Sequence, residues 1–139
     1  MRSVRDESGT HYLLLKRSGD SARVRDPETG EEQYLPNDRL EPVEGESPLV
    51  TAARGVPESV RAVVTAAPDD RSLGLLLDVD ADGPLPVRTL LDRYDLCESD
   101  LHGLLAEFRA AGLLAEATVA GERGYETTEM ATDALARLR

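Results

Sequence analysis

The sequence predicts an α+β protein: a small antiparallel β-module or SH3-like meander first, then a helical linker, then a helical domain closed by a hairpin. Three observations predict it. Residues 1–44 break into short extended runs divided by turn residues, Glu44 to Pro48 is a polar Gly/Pro stretch, and apolar residues recur at helical spacing from Pro57 onward. The expected boundaries are 1–44 for the β-module, 45–68 for linker and helix, and 69–139 for the last domain.

Within the β-module the expected strands are Val4 to Asp6, Tyr12 to Lys16, Ala22 to Asp26 and Gln33 to Leu35, with a fifth at Leu40 to Val43. Each separator carries residues that favour turns: Glu7-Ser8-Gly9, Arg17-Ser18-Gly19-Asp20 and Asp26-Pro27-Glu28-Thr29-Gly30. After the linker, Leu49 to Arg54 suits a short helix. Pro57 to Ala67 suits a longer one, because Pro fits the first helical turn and Val60, Val63, Val64 and Ala67 make one stripe. Asp69 or Asp70 caps the next helix, which carries Leu73, Leu76 and Leu77 and closes at Asp80-Ala81-Asp82-Gly83. Glu129 to Arg139 is a final helix with Met130, Ala134, Leu135 and Leu138 on one side.

The most informative run lies between these. Leu101, Leu104, Leu105 and Phe108 fall at i, i+3, i+4 and i+7, so one stripe of a helix is apolar and the other side is polar or small. Gly112 follows two alanines and takes the left-handed conformation of a C-terminal cap without a Cβ clash. Upstream, Val87, Leu90, Leu91 and Tyr94 mark a helix joined through Asp95-Leu96-Cys97, which makes a helix-turn-helix. Downstream, Leu113 to Val119 and Tyr125 to Thr128 read as two strands around the turn Ala120 to Gly124, with Arg123 at its tip. With its closing Phe108-Arg109-Ala110-Ala111-Gly112-Leu113, this run resembles the recognition helix and wing of winged helix-turn-helix proteins of the MarR/ArsR type, over residues 69 to 139. The resemblance implies a transcriptional regulator that binds double-stranded DNA as a homodimer, paired through Pro57 to Ala67 and Glu129 to Arg139.

Composition bounds the rest. The net charge is −11, from 27 acidic and 16 basic residues, and Lys16 is the sole lysine. An acidic surface, scarce lysine and a core of Ala, Val and Leu resemble the proteins of salt-in halophilic archaea. No run is apolar enough to cross a bilayer, so a cytoplasmic protein without membrane contact is expected. A single cysteine excludes an internal disulfide. Asp78, Asp80 and Asp82 alternate like a calcium loop but lack its remaining ligands. Neither a nucleophile with a base nor a phosphate loop is present, so no catalytic residue, metal, cofactor or enzymatic activity is expected.

The expected DNA-binding residues are Arg88, Arg93, Ser99, His102, Gly103, Ala106, Arg109 and Arg123. The arginines suit phosphates, and the small residues permit close approach to a groove. Base-reading helices carry Arg, Asn, Gln or Lys on that face, and this one carries Asp100 and Glu107 beside it. Residues 69–139 hold 7 basic and 15 acidic residues, net −8. A protein-interaction or scaffold subunit, docking a partner through the same face and the β-module, is therefore the second reading. Cys97 is either a redox-sensitive thiol at a helix start or a small buried hydrophobe. Arg17, Arg23 and Arg25 near the second turn are either a binding patch or a solvated strand face.

Overall fold

The computed structural model describes residues 1–139 and is α+β, with two compact units, 1–57 and 58–139.

The N-terminal unit is an antiparallel sheet of five strands: β1 (Arg2–Arg5), β2 (His11–Ser18), β3 (Ser21–Arg25), β4 (Glu32–Pro36) and β5 (Glu41–Pro42). Their spatial order is β4-β3-β2-β1-β5, so four strands meander and the fifth returns to pair with β1. Alternation places Val4, Tyr12, Ala22, Val24 and Leu35 together in one core, which Leu40 joins from the turn before β5. A register shift between Leu14 and Lys16 marks a bulge in β2.

The opposite face of β1 and β2 is also covered. Ser3 and Leu13, Cα partners in the ladder, are both buried, and α1 (Pro48–Ala52) packs there. The Ser3 hydroxyl hydrogen-bonds Thr51 Oγ1, which in turn donates to Glu46 Oε2. The same carboxylate accepts from Arg54 at 3.2 Å and meets His11 Nδ1 at 3.3 Å. Residues 45–57, expected within the linker-and-helix segment 45–68, are thus part of the first unit: the buried Thr51 and the half-buried Glu46 give that short helix its anchorage. The Thr51 hydroxyl first, and then Arg54 and His11, hold the Glu46 carboxyl below its ordinary value of 4.5. A depressed carboxyl contributes stability above its unfolded value and loses it as the pH falls through the folded one. Acid should therefore loosen this unit from about pH 4.5 downward, and Glu46→Gln should remove that part of the pH dependence. Amide signals of β1 and β2 followed against pH in both chains check this.

The C-terminal unit contains α2 (Glu58–Ala66), α3 (Asp70–Asp82), β6 (Leu85–Pro86), α4 (Val87–Arg93), α5 (Glu98–Ala110), β7 (Leu114–Val119), β8 (Glu122–Thr127) and α6 (Glu129–Leu138). Asp69 caps α3 by accepting from the Ser72 amide, and Thr128 caps α6 by accepting from Ala131. One core holds Leu75, Leu76 and Val79 of α3, Leu90 of α4, Leu101, Leu105 and Phe108 of α5, and Leu135 of α6. Helix α2 belongs here: Val60 and Val63 are buried, and α2 packs on α6. The expected stripes of these two helices are therefore buried within one chain, leaving Val64 at 62% and Leu138 at 49% exposure.

The end of α5 is a Schellman motif. Leu113 N–H donates to Phe108 O at 2.9 Å and Gly112 N–H to Arg109 O at 3.0 Å, with Gly112 at φ 77°. Phe108 and Leu113, the apolar pair that accompanies such a cap, are both buried.

The hairpin differs from expectation. Its turn is two residues, Ala120 at φ 48° and Gly121 at φ 79°, and Val119 pairs with Glu122. Two positive φ values fit the primed turn that matches strand twist. Gly124 is accordingly a strand residue, not part of the turn, and Arg123 lies opposite Thr118 rather than at the tip. β6, unforeseen because it is two residues long, pairs Leu85 with Tyr125 and Pro86 with Gly124. Its approach is close enough that a Cβ on Gly124 would lie 2.4 Å from the Leu85 carbonyl oxygen. No helix is long and apolar enough to cross a membrane.

Candidate nucleic-acid interface

Helix α5 buries Leu101, Leu105 and Phe108 and packs Leu104 against the same core, while Ser99, His102, Gly103, Ala106, Arg109 and Ala110 are all exposed. Helical spacing divides these into two flanks. Ser99, Gly103 and Glu107 line a groove shared with Asp69, Arg71 and Ser72 at the start of α3. His102, Ala106 and Arg109, at i, i+4 and i+7, lie on the flank that meets the hairpin, because Arg109 Nη1 bonds Glu116 Oε1 of β7 at 3.0 Å.

The hairpin supplies the other half of that contact. Glu116 and Tyr125 are Cα partners, and Thr118 and Arg123 are the next pair on the same face. Arg123 Nη2 reaches the same Glu116 Oε1 at 2.7 Å and donates to the Tyr125 hydroxyl at 3.1 Å, with its guanidinium 5.9 Å from that ring. The Tyr125 hydroxyl first, and Glu116 next, raise the Arg123 pKa further above its ordinary value. One carboxylate thus joins α5 to the hairpin through two arginines.

The remaining expected contacts are placed elsewhere. Arg88 meets Glu122 at 3.4 Å, on the pleat face of β8 opposite Arg123. Arg93 bonds Asp82 at 2.8 Å, at the end of α3, and is not joined to the hairpin. His102 Nε2 lies 3.5 Å from Glu98, one turn earlier on α5. All four candidate arginines are therefore paired with carboxylates of the chain itself, which spacing along the sequence could not reveal. The signal that could have found Glu116 is its period-2 position in β7, on the face that Arg123 must share once the turn is two residues long.

Cys97 occupies the N-cap of α5 and is exposed, with Sγ 3.3 Å from Ser99 Oγ and no capping bond. It is not the buried hydrophobe that was one of its two readings. The three alternating aspartates diverge. Asp78 accepts from the Tyr94 hydroxyl, Asp82 from Arg93, and Asp80 from Thr127, Thr132 and Arg139 at 3.0, 2.8 and 3.2 Å. Asp80 ties α3, β8 and α6 together, which accounts for that residue structurally. Arg23 of the N-terminal unit is paired with Glu32.

A family of unknown function, DUF7346, matches residues 1–139. The chain belongs to that family. No curated protein matches it, and no solved structure does. In this DUF7346 chain, α5 and the hairpin form the surface on which two arginines from different elements share one carboxylate.

Proposed function

We propose that the C-terminal unit binds double-stranded DNA as a winged helix regulator of the MarR/ArsR kind, with α5 in the major groove and the hairpin as wing. The observation that carries this reading is the Glu116 contact, which fixes Arg109 of α5 beside Arg123 of the wing so that both elements face a duplex together. His102 and Ala106 lie on the same flank as Arg109 and approach base edges. Ser99 and Gly103 face the acidic groove and contribute through close fit. The acidic composition suits a cytoplasm at molar salt, where the Debye length is about 3 Å and binding leans on fit and hydrogen bonds. A two-fold pair, formed through the outward Val64 and Leu138 of α2 and α6, would present two such surfaces.

Arg123→Ala should weaken binding to all duplexes by a similar factor and flatten the dependence of log K on log salt by about 0.9, the loss of one phosphate contact. His102→Ala should change which sequence is preferred. Anisotropy titrations of specific and random duplexes across potassium chloride concentrations measure both.

A second reading is favoured by the groove of Asp69, Asp100 and Glu107 beside α5, whose charge suits a basic segment of a protein partner. A Cβ on Gly103 meets nothing within 4 Å, so Gly103→Glu leaves the fold intact while filling that groove. Loss of a protein complex on this change, with DNA binding indifferent to Arg123→Ala and His102→Ala, would replace the first reading with the second.

A further inference from the structure

We propose that Arg109 and Arg123 form a phosphodiester site that is masked by Glu116, whose carboxylate occupies the seat of a DNA backbone phosphate until a duplex displaces it. This rests on the DNA-binding reading and adds to it the control of non-specific affinity.

Two guanidinium groups from different elements converge on a single oxygen, Glu116 Oε1, at 3.0 and 2.7 Å. The cluster carries two positive charges against one negative, a net +1 within a unit whose residues 69–139 sum to −8. A carboxylate and a phosphodiester are both monoanions with oxygens that accept from the guanidinium fork, so one replaces the other in the same geometry. All three side chains are about half exposed, at 54%, 62% and 44% for Arg109, Arg123 and Glu116. Exchange in water of one such surface pair for another is low in cost. Arg123 would stay in place after the exchange, because the Tyr125 hydroxyl and ring hold it independently of Glu116.

Masking has two consequences. A duplex must release Glu116 and then tolerate that carboxylate beside its own phosphate, a cost that lowers affinity for every duplex alike and leaves well bound those whose sequence α5 fits. Arginines already neutralised by the chain also displace fewer counterions, so the dependence of affinity on salt is shallow, as binding in molar salt requires.

The test compares the intact chain with Glu116→Gln, with Glu116→Gln combined with Arg109→Ala and Arg123→Ala, and with Glu126→Gln. The last removes the same charge from the other face of β8. Anisotropy with a labelled random-sequence duplex should show Glu116→Gln binding about tenfold tighter, with a slope steeper by about 0.9, the one positive charge that the carboxylate no longer offsets. The triple variant should lose the gain, and Glu126→Gln should show little of it. Equal tightening by Glu126→Gln, or no tightening by Glu116→Gln, overturns the proposal. A second arm titrates Glu116→Gln with tripolyphosphate and follows the Nε–H signals of Arg109 and Arg123. Shifts there without duplex binding by any variant would leave the anion site standing and remove the DNA reading. Signals unmoved by tripolyphosphate would remove the masked site whatever the duplex does.

Discussion

Phe108→Ala is expected to lower the stability of the C-terminal unit by about 3–5 kcal/mol, the cost of a large cavity in a close-packed interior. Phe108 is 1% exposed and is the largest of the fully buried side chains, and the chain has no other Phe or Trp to take its place. It also makes the apolar contact with Leu113 that accompanies the cap on Gly112, so the start of β7 and the end of α5 should lose order together. Urea unfolding followed through the amide signals of α3, α5 and α6 measures the loss. A change under about 1 kcal/mol would mean that the surroundings collapse into the space and that the core is not organised around this ring.

Gly124→Ala acts by the opposite mechanism, overfilling. The added Cβ would stand 2.4 Å from the Leu85 carbonyl oxygen and 3.0 Å from Pro86 Cα, both backbone atoms that move only if β6 leaves β8. Separation would expose Leu85 and Tyr125, which are 6% and 4% exposed in the native fold, so a cost of about 3 kcal/mol is expected, at the upper end of overpacking. Tyr125 also holds Arg123, so the substitution should release that guanidinium from the hairpin while leaving α5 helical. Amide exchange should rise in β6 and β8 first. Unchanged protection there would show that the two strands can part slightly without loss, and would remove Gly124 as a requirement of the hairpin.

The sequence made the architecture legible wherever periodicity spanned several turns or strands. Leu101 to Phe108 names its own helix because one face is buried, and the run from Val4 to Leu35 names its strands through the turn residues that separate them. Gly112 marked its helix end because few other residues accept φ near 77° there. Short elements escaped. β6 is two residues long and has no period, and its presence is recorded only by the missing side chain of Gly124. The turn was misplaced because Ala120, not a second glycine, takes the other positive φ, which moved Arg123 from the tip into the strand. The break between units was set too early, at the polar stretch Glu44 to Pro48, since the anchorage of Thr51 on Ser3 and of Glu46 on His11 joins residues far apart in the chain. The candidate site was legible as a list of arginines but not as a circuit. That Arg109 and Arg123 share one carboxylate follows from strand register and helix phase taken together, and neither alone is readable from spacing.

The proposed function requires α5 and the hairpin to engage a duplex together. Selection from a random-sequence duplex pool by the intact chain in molar potassium chloride tests this most directly. Enrichment of a defined site is expected, in two half-sites about one helical turn apart if the chain pairs, with Arg123→Ala weakening every enriched sequence alike. A pool that emerges unenriched, with the protein free at all concentrations, would contradict it.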